Sequence, residues 1–123
     1  MRQPPILCPH PGVEVFIEEG CYILELANDD SDPELSIARA RVLPGTTTKW
    51  HCVRDTVERY VILDGMGRVE IGDYPPQEVQ AGDVVMIPPS VRQRIANVGT
   101  GDLVFLAICT PRFRLEAYEV AEA

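Results

Sequence analysis

The chain contains no long hydrophobic run. Although 46% of its 123 residues are hydrophobic, no apolar stretch approaches the roughly 20 residues that a helix needs to cross a bilayer. The sequence therefore predicts a soluble globular protein with no membrane partner. Its length fits one domain that buries a single core without the help of disulfide bonds.

Positive charge is also scarce. Eleven Lys and Arg residues stand against 19 Asp and Glu residues, which gives a formal net charge of -8. A surface of this charge repels phosphate backbones and anionic lipid headgroups. This argues against a nucleic-acid partner.

The four cysteines do not form a motif. They are far apart in the chain, with no Cys-x-x-Cys pair, and the N-terminus lacks a charged region followed by an apolar core. We therefore expect no zinc ribbon, no disulfide scaffold and no secretion signal. Reduced thiols in a cytoplasmic protein are the expected state.

Motifs for covalent catalysis are missing as well. There is no Gly-x-Ser-x-Gly elbow, no glycine-rich phosphate loop, and only two histidines for any triad. Any catalysis must therefore rely on other groups, such as carboxylates or a metal ion.

Helical periodicity is almost absent, and turn residues recur at short intervals. This pattern predicts an all-β fold of ten or eleven short strands, which is typical of a sandwich or a closed barrel. A hairpin turn is expected at residues 64–67, where two glycines supply positive φ angles. The expected strands are 13–17, 22–26, 35–42, 49–53, 57–63, 68–71, one near 78–79, 84–87, 93–97 and 103–109.

The two ends of the chain differ from this β region. Residues 1–12 contain four prolines and are expected to form an extended arm. Residues 13–113 would form the β domain. The tail, 114–123, is the one segment that could form a short helix.

The central part of the chain carries a glycine-bounded string. It begins at Gly45, continues after five residues with His51 and Val53, reaches Glu58 after four more, and ends at Gly65. In a strand, side chains at positions i and i+2 point to the same face. His51 and Val53 are therefore predicted to share one face.

A second string follows the same plan. It begins at Gly82, continues after five residues with Pro88, then Ser90 and Gln93, and ends at Asn97. Together the two strings resemble the paired motifs of the cupin family, in small single-domain form. The resemblance implies a double-stranded β-helix, also called a jelly-roll barrel.

The same resemblance implies a metal site with changed ligands. In cupins the two motifs supply three histidines and a glutamate to a divalent metal, and the matching positions here are His51, Val53, Glu58 and Gln93. Val53 cannot donate, so His51, Glu58 and Gln93 remain as candidate ligands, with zinc, iron, manganese or nickel all possible. Glu58 is expected on the neighbouring strand and Gln93 on a third strand across the barrel mouth.

A metal-free arrangement is the alternative. His51, Glu58 and Gln93 can satisfy one another by hydrogen bonds. Glu58 is then the candidate general base, with His51 as its partner acid. Tyr60 shares the inward face of Glu58, so it is a second candidate catalytic residue or a core tyrosine with a satisfied hydroxyl.

Three classes of function stay open at this point. The first is a metal-dependent enzyme acting on a small polar molecule, of isomerase or epimerase, lyase or dioxygenase type. The second is a non-catalytic ligand-binding or sensor barrel without metal. The third, a structural or storage role, fits a short chain without repeats least well. The resemblance also implies a homodimer, in which the apolar arm packs on a neighbouring barrel.

Overall fold

The computed structural model describes residues 6–121, and its regular structure consists of eleven β-strands and two short 3-10 turns. This confirms the all-β prediction. The 3-10 turns are Pro11–Val13 and Leu115–Ala117. The strands are β1 Val15–Phe16, β2 Tyr22–Ala27, β3 Ser36–Val42, β4 His51–Val53, β5 Val57–Asp64, β6 Met66–Ile71, β7 Gln77–Gln80, β8 Val84–Ile87, β9 Gln93–Asn97, β10 Leu103–Thr110 and β11 Tyr118–Val120.

The strands form two antiparallel sheets. One has six strands in the order β1-β2-β3-β10-β5-β8, and the other has five in the order β11-β4-β9-β6-β7. Consecutive strands pair in β1-β2-β3 and in β6-β7, whereas the other neighbours are distant in sequence because the chain crosses from one sheet to the other. This is the architecture of a jelly-roll barrel, as predicted.

The turn between β5 and β6 is not the hairpin that the sequence predicted. β5 pairs with β10 and β8, whereas β6 pairs with β7 and β9 in the other sheet. The turn is a corner that moves the chain between sheets. Gly65 occupies it with φ +88°, and a Cβ there would lie 2.6 Å from the Asp102 carbonyl oxygen, so only glycine fits.

The two ends of the barrel are packed differently because side-chain size falls along the inward faces of the strands. On β3 the inward residues run from Val42 through Ala40 and Ala38 to Ser36. At the large-residue end, aliphatic side chains fill the space between the sheets. At the small-residue end a cavity remains. The buried apolar cluster is Cys21, Ala40, Val42, Tyr60, Ile62, Val69, Val79, Val85, Ile87, Ile95, Leu103 and Phe105.

The outer face of β3 binds the segment that precedes β1. Arg41 donates to Glu14 at 2.7 Å and to Asp102 at 3.1 Å, and Arg39 lies 3.5 Å from Glu14. The two arginines lie on the face opposite Ala38 and Ala40, as alternation along a strand requires. They hold the chain between the arm and β1 against the six-stranded sheet.

The chain termini follow the predictions in part. Residues 1–5 of the expected arm and 122–123 of the tail lie outside the described residues. The expected tail helix is limited to the 3-10 turn Leu115–Ala117, and the chain then forms β11, which pairs with β4. Within residues 6–121, no helix is long and apolar enough to span a membrane.

Candidate functional site

A cavity of about 500 Å³ opens at the small-residue end of the barrel. Its walls are mostly apolar, and its polar groups are concentrated on a few side chains. The lining residues are Val13, Val15, Ile17, Glu18, Glu19, Ile23, Glu25, Ser36, Ala38, Ala40, His51, Val53, Glu58, Tyr60, Phe105, Ala107, Cys109, Phe113, Leu115 and Tyr118.

His51, at the start of β4, is one of these buried polar side chains and is only 2% exposed. Its Nδ1 lies 2.9 Å from the Lys49 carbonyl oxygen, which can only accept, so Nδ1 carries a proton and donates. In the neutral ring the lone pair is therefore on Nε2. Nε2 lies 3.6 Å from Oε1 of Glu19, and the Tyr118 ring stacks on the imidazole at a centroid distance of 5.3 Å.

Glu58, Gln93 and Tyr60 form a chain of hydrogen bonds in the barrel interior. The Tyr60 hydroxyl donates to Oε1 of Gln93, and Nε2 of Gln93 donates to Oε1 of Glu58. Sγ of Cys109 lies 3.8 Å from the other Glu58 oxygen, Oε2. The bonds fix the Glu58 carboxyl group and leave Oε2 as the oxygen that carries the proton when the group is neutral.

Glu19 belongs to the site but was not predicted from the sequence. It lies in the turn between β1 and β2, and its carbonyl oxygen accepts a hydrogen bond from the Lys49 amide at 2.9 Å. This bond places the turn beside β4, so the Glu19 carboxyl group reaches His51. The Glu18-Glu19-Gly20 run is the signal in the sequence, although a turn between strands is usually exposed.

Burial changes the acidity of both carboxyl groups. Desolvation raises the pKa of Glu58 to about 7, with the His51 charge lowering it and the Glu19 charge raising it. Desolvation also raises the pKa of Glu19 to about 7, against a weak hydrogen bond from Cys21. Each group can therefore gain and lose a proton near neutral pH.

The other acidic groups at the site stay protonated. Burial raises the pKa of the Tyr60 hydroxyl and of the Cys109 thiol, and the Glu58 charge raises both further. Tyr60 is therefore a hydrogen-bond donor to Gln93. Cys109 is a buried thiol of low reactivity.

The structure brings His51, Glu58 and Gln93 together on the predicted strands, but those strands are arranged differently from our expectation. His51 and Gln93 are directly paired on β4 and β9. Glu58 faces them from β5 in the other sheet, because the chain changes sheets between β4 and β5. Gln93 is 1% exposed and is not among the lining residues, so it lies behind Glu58 as seen from the cavity.

These donors, as arranged, do not fit a metal centre. The Gln93 oxygen accepts from Tyr60, and its amide nitrogen, which cannot bind a metal, points at Glu58. Val53 provides no donor. In the part of the chain that the structure describes, no three His, Cys, Asp or Glu side chains are placed to share an ion.

The second histidine and the cysteine beside His51 are not among the residues that line the cavity. His10 is exposed, and its Nδ1 accepts from the Gly12 amide. Cys52 points outward, 3.7 Å from Glu119.

Trp50 lies on the outer face of the barrel. Arg92 and Arg94 lie over its ring, at 4.2 and 4.5 Å from the centroid. Arg92 and Arg94 flank Gln93 in the sequence, and Trp50 directly precedes His51. The Trp50 contacts therefore join the β4 and β9 segments on the outside, whereas His51 and Gln93 pair on the inside.

Comparison with solved structures supports the jelly-roll fold. Oxalate decarboxylase from Bacillus subtilis is 23% identical with a TM-score of 0.75, covering 89% of this chain and 30% of that one. An uncharacterised double-stranded β-helix protein from Klebsiella pneumoniae is 14% identical with a TM-score of 0.72, covering 95% and 91%. The capsular polysaccharide assembling protein CapF from Staphylococcus aureus is 19% identical with a TM-score of 0.71, covering 87% and 33%.

The chain thus spans about a third of the length of oxalate decarboxylase and of CapF, and nearly all of the length of the Klebsiella protein. No match is found among curated proteins. A family model described as the cupin domain matches residues 38–109, which include both glycine-bounded strings and run from within β3 to within β10. The chain belongs to the cupin domain family.

Proposed function

We propose that the protein binds a small molecule in the barrel cavity and moves a proton on it. The observation that carries this proposal is the placement of three proton-exchanging side chains, Glu19, His51 and Glu58, on the wall of one largely apolar cavity. An apolar cavity with a few convergent polar groups is the usual form of a small-molecule site. Carboxyl groups with a pKa near neutrality suit general acid–base catalysis.

Each of the three groups has a role that follows from its contacts. Glu58 exchanges its proton at Oε2, because Oε1 is held by Gln93. His51 offers Nε2, because Nδ1 is held by Lys49. Oε1 of Glu19 lies 3.6 Å from that nitrogen, so Glu19 is the second carboxyl group beside His51.

Tyr60 supports this chemistry indirectly, through its hydrogen bond to Gln93. Its hydroxyl fixes the amide of Gln93, which in turn fixes the carboxyl group. In this proposal Tyr60 and Gln93 are positioning residues, whereas Glu58 contacts the substrate. Isomerase, epimerase and lyase reactions are the types that proton transfer alone can run.

Proton exchange in deuterated water tests the proposal without knowledge of the substrate. A panel of small molecules with acidic C–H bonds would be incubated with the protein, and loss of proton signals followed by NMR. We expect enzyme-dependent exchange for at least one compound. Glu58→Gln should slow that exchange by about 100-fold or more, the usual contribution of a general base.

Glu34→Gln is the matched control, since Glu34 is exposed and is not among the lining residues. It should leave the exchange unchanged. If compounds bind in the cavity and none of them exchanges, the catalytic proposal is wrong. Binding without turnover is the second candidate function, and the fully paired Tyr60–Gln93–Glu58 chain favours it, because a satisfied network is also a stable end state.

A metal on His51, Glu58 and Gln93 stays a prediction that needs its own test. It would require Gln93 to release Tyr60 and turn its amide oxygen towards the cavity. Elemental analysis measures the metal content of the protein after mild purification, and again after loading with zinc, iron, manganese or nickel. A stoichiometric ion that His51→Ala removes would support the metal, and equal trace content in both proteins would count against it.

The state of the cysteines favours a reducing compartment such as the cytoplasm. All four are free thiols, two of them buried, one half-buried and Cys8 exposed. Oxidising compartments tend to convert exposed thiols to disulfides. A cytoplasmic location is part of the proposal on this ground.

A further inference from the structure

The charged groups on the cavity wall are all of one sign unless His51 is protonated. Four carboxyl groups line the cavity, and no Lys or Arg is among the lining residues of the described chain. Glu58 is 8% exposed and the Glu19 side chain 13% exposed, whereas Glu18 and Glu25 are exposed residues where the cavity meets solvent. An anion entering the cavity therefore meets only like charge.

The remaining wall is suited to an apolar body with a positive charge. Four aromatic rings, those of Tyr60, Phe105, Phe113 and Tyr118, line the same cavity. The face of an aromatic ring attracts a cation, and the attraction increases when water is excluded. Carboxylates and aromatic faces together are the groups that bind organic ammonium ions.

We propose that the ligand of this cavity is a small organic cation, an ammonium group on an apolar aliphatic or aromatic body. This inference rests on the proposed function, because it concerns the same cavity. The ammonium group lies between the inner carboxyl groups of Glu19 and Glu58, and the apolar body lies against Phe105 and Ala107. The outer carboxyl groups of Glu18 and Glu25 attract the cation to the opening.

A set of three probes of similar shape and different charge tests the inference. Benzylamine, benzyl alcohol and benzoate would be titrated at pH 8 against ¹⁵N-labelled protein, and binding mapped from the amide resonances of lining residues. We expect benzylamine to bind at least ten times more tightly than benzyl alcohol. Benzoate should bind most weakly.

The second measurement removes the charge of the inner carboxyl groups without changing the size of their side chains. In Glu19→Gln/Glu58→Gln the benzylamine affinity should fall at least tenfold, towards that of benzyl alcohol, while benzyl alcohol affinity changes little. Glu34→Gln should bind all three probes as the wild type does. A dispersed amide spectrum of the double variant shows that it is folded, and Glu19→Gln alone provides a milder variant with an intermediate loss.

The outcomes separate this inference from the proposed function. Equal binding of the three probes, or tightest binding of benzoate, overturns the cation preference and leaves the small-molecule cavity in place. Failure of benzylamine to shift any lining resonance also overturns the preference. The exchange experiment in deuterated water does not depend on these probes and decides the proton-transfer function separately.

Discussion

At the scale of single residues, Glu58 combines deep burial with a fixed geometry. Gln93 holds one of its oxygens, and Cys109 lies near the other. The barrel interior disfavours its charge, so folding favours the protonated form. This links the acid–base chemistry of the cavity to the stability of the barrel.

The stability of the protein should therefore fall as the pH rises from 5 to 8. The folded pKa of Glu58 is about 7, above its usual value of 4.5, so its contribution to stability is fully present below pH 4.5 and is lost as the pH rises from 4.5 through 7. The loss is on the order of 2–3 kcal/mol. Urea unfolding at several pH values measures it.

Glu58→Gln cannot ionise and should reduce the slope of this pH profile, while Glu19, whose pKa burial also raises to about 7, maintains the remaining slope. Its stability should equal or exceed that of the wild type at pH 8. Glu34→Gln keeps the buried carboxyl groups and should retain the wild-type slope. Parallel profiles for Glu58→Gln and the wild type would show that the buried carboxyl group does not titrate in this range.

Sequence reasoning located part of the site at this scale. His51 and Glu58 were found because they occupy the ligand positions of the glycine-bounded strings that resemble the cupin motifs, and such a motif is contained in a short stretch of chain. Glu19 was missed because its position depends on the Lys49 amide, thirty residues later in the chain. Such a contact follows from sheet packing and leaves no local periodicity.

At the scale of elements, the corner at Gly65 is the most constrained turn of the barrel. It carries the chain from β5 in one sheet to β6 in the other, and it packs against the backbone of Asp102 and Leu103. At Gly65 both the positive φ and the close backbone contact disfavour any side chain. At Gly45 the φ is also positive, at +77°, yet a Cβ would meet nothing within 4 Å.

Gly65→Ala should accordingly cost about 3 kcal/mol or more, and Gly45→Ala about 1 kcal/mol. Gly45→Ala measures the cost of the backbone strain alone. The additional loss of stability in Gly65→Ala measures the clash with Asp102. Thermal or urea unfolding measures both. Equal costs for the two variants would show that the β5–β6 corner adjusts freely.

The predicted strands were confirmed more fully than their connections. Alternation along the chain shows that 57–63 and 68–71 are strands, but it does not show which sheet each one joins. The short turn between them therefore suggested a hairpin. The tail was read as a possible helix for the same reason, because β11 has only three residues and exists through its pairing with β4.

At the scale of the whole molecule, one edge of the six-stranded sheet is apolar and uncovered. β8 is the edge strand, and Val84 and Met86 on its outer face are 63% and 61% exposed. Ile6 and Leu7 of the arm are also exposed. An open edge with apolar side chains is a surface that proteins usually cover.

We expect a homodimer in which the arm of one protomer packs on this edge of the other. Light scattering should give twice the chain mass of 13.7 kDa. Val84→Lys/Met86→Lys should reduce the mass to that of the monomer, whereas Val98→Lys, at an exposed position outside β8, should leave the dimer intact. A monomeric wild type would remove this prediction.

The position of Trp50 determines what the intrinsic fluorescence of the protein can report. It is the single tryptophan, and its ring lies against Arg92 and Arg94 on the outside of the strands that carry His51 and Gln93. A ligand in the cavity cannot touch the indole. A spectral change on ligand addition would therefore mean that β4 and β9 move relative to each other, and an unchanged emission spectrum during a successful titration would identify a rigid barrel.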